Sequence, residues 1–260
     1  MILHLMHRLP DLLILAITVV VLTGLAMAAP FVGRHVFRLP AHEKRNASAL
    51  DSYKTVMATV AFVLAFSLVQ ASANLHSVDA LVDKEAATIS ATDRALLRLG
   101  KPELAALRPA LVKYARTLID DEWPLLTVGQ RSTAADDAFT ALSRAARELA
   151  PDNARQEAMY NELLRDLDDI ADFREQIIGV TDEGLPGFFW ITISGLLAIG
   201  LFLAGLVGGD LINTIAVGAT AAAIGLLLAF LIVVDLPFEG ETSVRPTSIE
   251  KALVVIARRT

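Results

Sequence analysis

The sequence predicts an all-α integral membrane protein with four transmembrane helices and a helical-bundle aqueous domain between the second and the third. Three observations predict it. Of the 260 residues, 54% are hydrophobic and the mean hydropathy is +0.53, above the roughly 45–50% apolar share, glycine included, of a soluble domain. The surplus is gathered into four stretches. Between the second and third lies a charged segment whose apolar residues return every three or four positions, as in Leu104, Leu107, Leu111, Tyr114 and Leu118, which is amphipathic helix spacing. No period-two alternation is long enough to make a strand, and no internal repeat is visible.

The first stretch, Leu12 to Val32, is about as long as a bilayer span requires, roughly 20 residues. GLAMAAP loosely resembles a leader cleavage site, but the apolar run exceeds that of a signal peptide and only one Arg precedes it, beside Asp11. A permanent span is expected. Arg34 to Lys54 is a polar, basic connector. The second span runs from Thr55 to Val69 and is extended by Gln70, Ser72 and Asn74.

No Gly or Pro separates that span from the charged sequence after Leu75. Span and first bundle helix are therefore expected to form one rod from about Ser52 to Leu99, roughly 70 Å at 1.5 Å per residue. Bundle helices are expected near 75–99, 102–127, 134–149 and 153–179, broken at Gly100-Lys101-Pro102, Val128-Gly129-Gln130 and Pro151. Ser132 or Thr133, ahead of Asp136-Asp137, suits an N-cap, and Asp152 or Asn153 suits another.

The third span, Phe188 to Val207, opens with an aromatic belt, Phe188-Phe189-Trp190, after the hinge Gly184-Leu185-Pro186-Gly187. Gly208-Gly209-Asp210 turns the chain, and Leu211 to Val234 returns as the fourth span. Small residues recur at Thr214, Gly218 and Ala222, and at Ala221, Gly225 and Ala229. They are expected to line the facing surfaces of this hairpin, where small residues let backbones approach. The resulting layout is 1–74 for two spans and connector, 75–185 for the bundle, 186–235 for the hairpin, and 236–260 for a turn with a short amphipathic helix.

The net charge of −6, with no basic stripe, excludes a nucleic-acid binder. The absence of Cys excludes disulfides, thiolate metal sites and a Cys nucleophile. There is no HExxH, no phosphate-binding Gly loop and no GxSxG. No catalytic residue, metal ligand or cofactor is assigned, and an enzyme is not expected. His4, His7, His35, His42 and His76 are scattered and read as interfacial residues. Glu162, Asp166, Asp168, Asp169, Asp172 and Glu175 lie along a helix instead of wrapping an ion from a loop, so they read as a solvated face.

Two motifs carry a resemblance. The first is Glu85-Ala86 followed by Ile89, then an Arg-x-x-Leu-x-x-Tyr step at Arg108, Leu111 and Tyr114. The second is a Pro-Phe-x-Gly turn after the last span, Pro237, Phe238 and Gly240, followed by Val244 and a helix from Ile249 to Ile256. With this order of elements the chain resembles the bacterial bestrophin-like domain family, long listed as a domain of unknown function. It departs at His76-Ser77-Val78, where that family often carries an Arg pair. Bestrophins proper are pentameric chloride channels with four membrane helices and a helical aqueous domain after the second. The resemblance therefore implies an oligomeric ion channel, for anions in preference to cations, by analogy of fold.

It also implies where a pore would lie. Bestrophins line theirs with apolar residues at intervals of four on the second helix, and Thr55, Thr59, Phe62, Phe66, Gln70 and Ala73 follow one side of that helix here. Phe62 and Phe66 match two pore positions and Gln70 takes a third with an amide. The competing reading packs both Phe side chains inside the subunit core. A Gln within a span favours a water-facing or inter-helix location over lipid.

The expected partners are the lipid bilayer, further copies of the chain and inorganic ions, with no nucleic acid, in a bacterial inner membrane. Arg34, Arg38, Lys44, Arg45 and Lys54 in the connector, against Arg8 in the N-terminal tail, put the connector in the cytoplasm and the bundle outside. The bestrophin resemblance implies the opposite orientation. The alternative function is a membrane-anchored sensory or scaffolding protein whose bundle binds a partner.

Overall fold

The computed structural model describes residues 10–37, 43–99, 107–181, 184–207, 210–235, 237–238, 240 and 242–259. The expected breaks at 100–102 and 208–209, with His4, His7, His42, Arg8 and Arg38, lie outside them. Among the described residues every regular element is helical: α1 (Asp11–Phe37), α2 (Glu43–Leu99), α3 (Leu107–Thr117), a π-turn (Leu118–Glu122), α4 (Trp123–Leu126), α5 (Thr133–Arg147), α6 (Ala154–Gly179), α7 (Gly187–Leu206), α8 (Leu211–Asp235) and α9 (Thr247–Ala257). Helices α1, α2, α7 and α8 are long and apolar enough to cross a membrane. The chain divides into one compact unit of residues 1–75 with 184–243 and another of 76–183 with 244–260.

Helix α2 has 57 residues and no interruption. At 1.5 Å per residue it is about 85 Å long, far more than the roughly 30 Å of a hydrocarbon core. Its charged part, from Asp79 onward, therefore lies beyond the span. The expected rod exists and starts earlier than Ser52, at Glu43.

In the first unit, Ile14, Tyr53, Val60, Leu64, Ile193, Val217 and Leu231 are buried together. Helix α1 packs on both α7 and α8. A Cβ on Gly33 would fall 1.9 Å from the Gly205 carbonyl oxygen, so α1 and α7 touch backbone to backbone there. The two glycines of α8 behave differently from the expectation. A Cβ on Gly218 would meet Met27 Cγ at 2.8 Å, and one on Gly225 would meet Val19 Cα at 3.1 Å. They receive α1, not the partner helix of the hairpin. Close approach without a hydrophobic drive needs glycine, but the spacing alone does not say which neighbour comes close.

Many polar groups in this unit are satisfied internally, as a bilayer demands, while the buried Asp11 Oδ1, Thr23 Oγ1 and Asn46 Oδ1 accept or donate no hydrogen bond within the described residues. Thr18, Ser67, Thr214 and Thr220 each donate to the carbonyl four residues back at 2.8–3.0 Å. Tyr53 donates to the Val217 carbonyl at 3.0 Å. The Leu185 N–H donates to Asp235 Oδ1 at 2.7 Å, and Thr242 donates to Asp11 Oδ2 at 2.7 Å. These bonds place the start of α1, the start of α7 and the end of α8 at one end of the unit. Phe238 is buried and Gly240 has φ 85°, which a residue with a Cβ rarely adopts.

In the second unit the caps form at Ser132, which accepts from Ala135 N, and at Asn153, which accepts from Gln156 N. The helix expected over 102–127 is not one regular helix. Pro124 has no N–H to give to Asp120, and its ring crowds that carbonyl. The backbone widens ahead of it, and Trp123 N–H reaches Leu118 O, closing the π-turn. The turn keeps Leu118 and Glu122 both buried.

Candidate functional site

Two regions carry the chemistry. The first is the uncovered face of α2 in the membrane unit. Tyr53, Met57, Val60, Leu64, Ser67 and Ala71 turn inward, and the opposite side stays open. Thr55, Ala58, Thr59, Phe62, Ala65, Phe66, Val69, Gln70 and Ala73 are exposed along it in steps of three and four. Phe62 is 75% and Phe66 57% exposed, so neither packs in the core of its own subunit. The Phe66 ring lies 6.3 Å from that of Phe189 at the start of α7. Thr55 and Thr59 donate to Asp51 O and Thr55 O, and Gln70 Nε2 donates to Asn74 Oδ1 at 3.2 Å.

This stripe differs from the exposed faces of α1 and α8 in its polar members, Thr55, Thr59 and Gln70, while exposed alanines are common to all three. Helix α1 exposes Leu12, Ile17, Val20, Val21, Leu25 and Phe31, while α8 exposes Leu211, Ile212, Ile215, Leu226 and Phe230. Those surfaces suit acyl chains. The α2 stripe mixes Thr, Ala and an amide with its two rings, and an uncovered amide is costly in hydrocarbon.

The second region is a buried polar network in the aqueous unit. Arg174 on α6, 4% exposed, donates to Glu122 Oε1 at 2.8 Å and Oε2 at 2.5 Å, and to Asp136 Oδ1 at 2.7 Å. Burial alone would lower its pKa, but the hydrogen bonds and charge of Glu122 and Asp136 outweigh that and raise it. Burial acts on Asp136 against ionisation, yet Arg131 and Arg174 hold its carboxyl below the usual range. Arg131 also pairs with Glu175 at 2.5 Å.

The motif residues lie at the joints of this unit. Tyr114 donates to Glu85 Oε1 at 3.0 Å, both groups buried. Ala86, Ile89 and Leu111 are buried beside them. Arg108 donates to Asp93 Oδ1 at 2.6 Å and to the Ile256 carbonyl, and Arg259 reaches Asp93 Oδ2 at 3.1 Å. Ser248 donates to Asp83. The motif thus ties α2 to α3 and α9.

Sequence reasoning missed Arg174, Glu122 and Asp93. The signal was present: Leu163, Leu167, Ile170, Arg174 and Ile177 form one apolar row with a guanidinium in it. Glu162, Asp168, Asp169, Asp172 and Glu175 are exposed, and no metal-binding group of His, Cys, Asp or Glu exists among the described residues.

A family model described as the Bestrophin-like domain matches residues 20–249. No curated protein matches the sequence. Among solved structures, a bacterial bestrophin homolog from Klebsiella pneumoniae superposes with a TM-score of 0.68 at 12% identity, covering 94% of this chain and 98% of that one. A point variant of that homolog gives 0.71 at 12% identity, covering 94% and 97%. A structure described as a membrane protein gives 0.67 at 11% identity, covering 95% and 98%. At such identities the likeness is one of fold.

Proposed function

The chain belongs to the Bestrophin-like family, and from that membership we propose that it is an oligomeric ion channel of a bacterial inner membrane, passing anions in preference to cations. The observation that carries the reading is the α2 stripe. Its amide, Gln70, is unsuited to lipid, and the stripe stays uncovered in a single chain. Copies arranged about an axis would turn the stripe inward, where Phe62 and Phe66 make an apolar collar and Gln70 a polar rim. A collar of that kind gates by excluding water. Between Thr55 and Asn74 the sequence carries no carboxylate, so nothing in the stripe would repel an anion or concentrate cations. The role is transport, with no cofactor and no chemical step.

The test is flux through the purified full-length chain in liposomes, measured separately for chloride and for potassium, beside its oligomeric state in detergent. An oligomer that passes chloride faster than potassium supports the reading. A monomer, or an oligomer without flux that Phe62→Ser does not open, overturns it. In that event the activity belongs to the helical bundle, as in a membrane-anchored sensor or scaffold.

A further inference from the structure

The buried carboxylates of the aqueous unit are unequally balanced. Glu122 and Asp136 share Arg174, and Asp93 has Arg108 and Arg259. Glu85 is 2% exposed, and among the described residues its carboxyl accepts from a hydroxyl, that of Tyr114, and from no cation. The charged and titratable groups that act on it are Tyr114 from α3, Glu122 from the π-turn and Arg174 from α6. The guanidinium is already committed to both Glu122 oxygens, to Asp136 and to the Ser132 carbonyl. Arg174 and Arg131 therefore serve Glu122 and Asp136, and Glu85 is the carboxyl of the three that neither guanidinium binds, so a proton is what neutralises it.

We propose that Glu85 is a proton-operated switch of the aqueous unit: it packs as the neutral acid against Tyr114, and its ionisation beside Glu122 loosens α2 from α3 and the π-turn. An isolated buried carboxylate is not tolerated without a partner. The neighbouring backbone, Leu118–Glu122, is the stretch between α3 and α4 that departs from α-helical register, and it carries Glu122. Burial first, then the Glu122 charge, push the Glu85 carboxyl up to about 8, against the opposing Tyr114 hydrogen bond and Arg174 charge. The folded value exceeds the unfolded one. The stability Glu85 contributes is therefore full below the ordinary carboxyl range and lost as pH rises through about 8. Tyr114 is held well above its ordinary value, by burial and then by Glu85, and stays neutral in that window. Asp136 titrates on the acid side. The inference stands apart from the channel reading, because its readouts are packing and protonation.

Full-length protein in detergent is melted at about pH 6 and about pH 9, beside Glu85→Gln, which keeps the shape of the neutral acid. The wild type should melt lower at the alkaline pH by about 5 °C or more, and the variant should lose that difference. An equal fall in both proteins overturns the proposal. Should the variant not fold, infrared difference spectra of the wild type decide. A protonated-carboxyl C=O band must disappear as pH rises through about 8, and a spectrum without that loss also overturns it.

Discussion

Arg174 grips both carboxylate oxygens of Glu122 across 52 residues of chain, at 2.8 and 2.5 Å, in a pocket where both side chains are all but sealed from solvent. Taking two charges out of water is costly, and the pair holds only while both members are present. Glu122→Gln should destabilise the aqueous unit by about 3–5 kcal/mol, because Arg174 keeps its charge and loses its main partner. Replacing both at once, Arg174→Met with Glu122→Leu, should restore much of that loss, since apolar groups of similar volume need no partner. Chemical denaturation of the full-length variants measures both. If the double variant is as unstable as the single one, the pair is not the source of the cost.

Acid acts on the same network with a definite sign. Asp136 is held below the ordinary carboxylate range, so its contribution is present above its unfolded pKa and is lost as pH falls through the folded one. The wild type should weaken at the acid end through Asp136, and Asp136→Asn should flatten that limb of the pH profile. A limb of unchanged slope in the variant would assign the acid sensitivity elsewhere.

Helix α1 offers a paired test of close packing. A Cβ on Gly33 would collide with the Gly205 carbonyl, whereas one on Gly24 meets nothing within 4 Å. Gly33→Ala should lower the melting temperature, at a cost of about 1–3 kcal/mol for overpacking. Gly24→Ala should be neutral or slightly stabilising, since Ala favours helix. Equal effects at the two positions would mean that α1 and α7 do not meet at Gly33.

The rod and the four spans were legible in the sequence because hydrophobic length and unbroken helix formers are local signals. The path of α1 was not. Gly218 and Gly225 announce a close neighbour by their spacing, but whether α7 or α1 arrives is decided by packing across the whole unit. The π-turn follows from one residue, Pro124, whose lost donor is visible in sequence but whose remedy is not. Arg174 was legible in principle, as a charge in an apolar row. Its partner Glu122 was not, because the π-turn rotates that side chain inward.

Orientation can be settled without background labelling, since the chain has no Cys. The start of α1 and the end of α8 share one end of the membrane unit through the Thr242–Asp11 bond. The connector then belongs to the other end, with its cations. The positive-inside rule puts that end in the cytoplasm. In whole cells an impermeant thiol reagent should label Ser143→Cys and spare Ser48→Cys. The reverse pattern would place the bundle in the cytoplasm.

The collar prediction separates a pore from a packing surface. Phe66 is more than half exposed and touches Phe189, so its removal opens no large internal cavity. Phe66→Ala should cost well under the roughly 3–5 kcal/mol of a buried Phe, because much of its ring is already outside the fold. In an assembled pore the same change widens the apolar constriction, and Phe66→Ser also wets it, so ion flux should rise in both, more in the second. Phe62→Ser should behave alike, being more exposed still. Flux and melting are read from one preparation. A rise in flux at nearly unchanged melting temperature is what a collar gives. Unchanged flux with a lower melting temperature would make the stripe an interface between copies that conducts nothing, and the search for function would move to the aqueous unit.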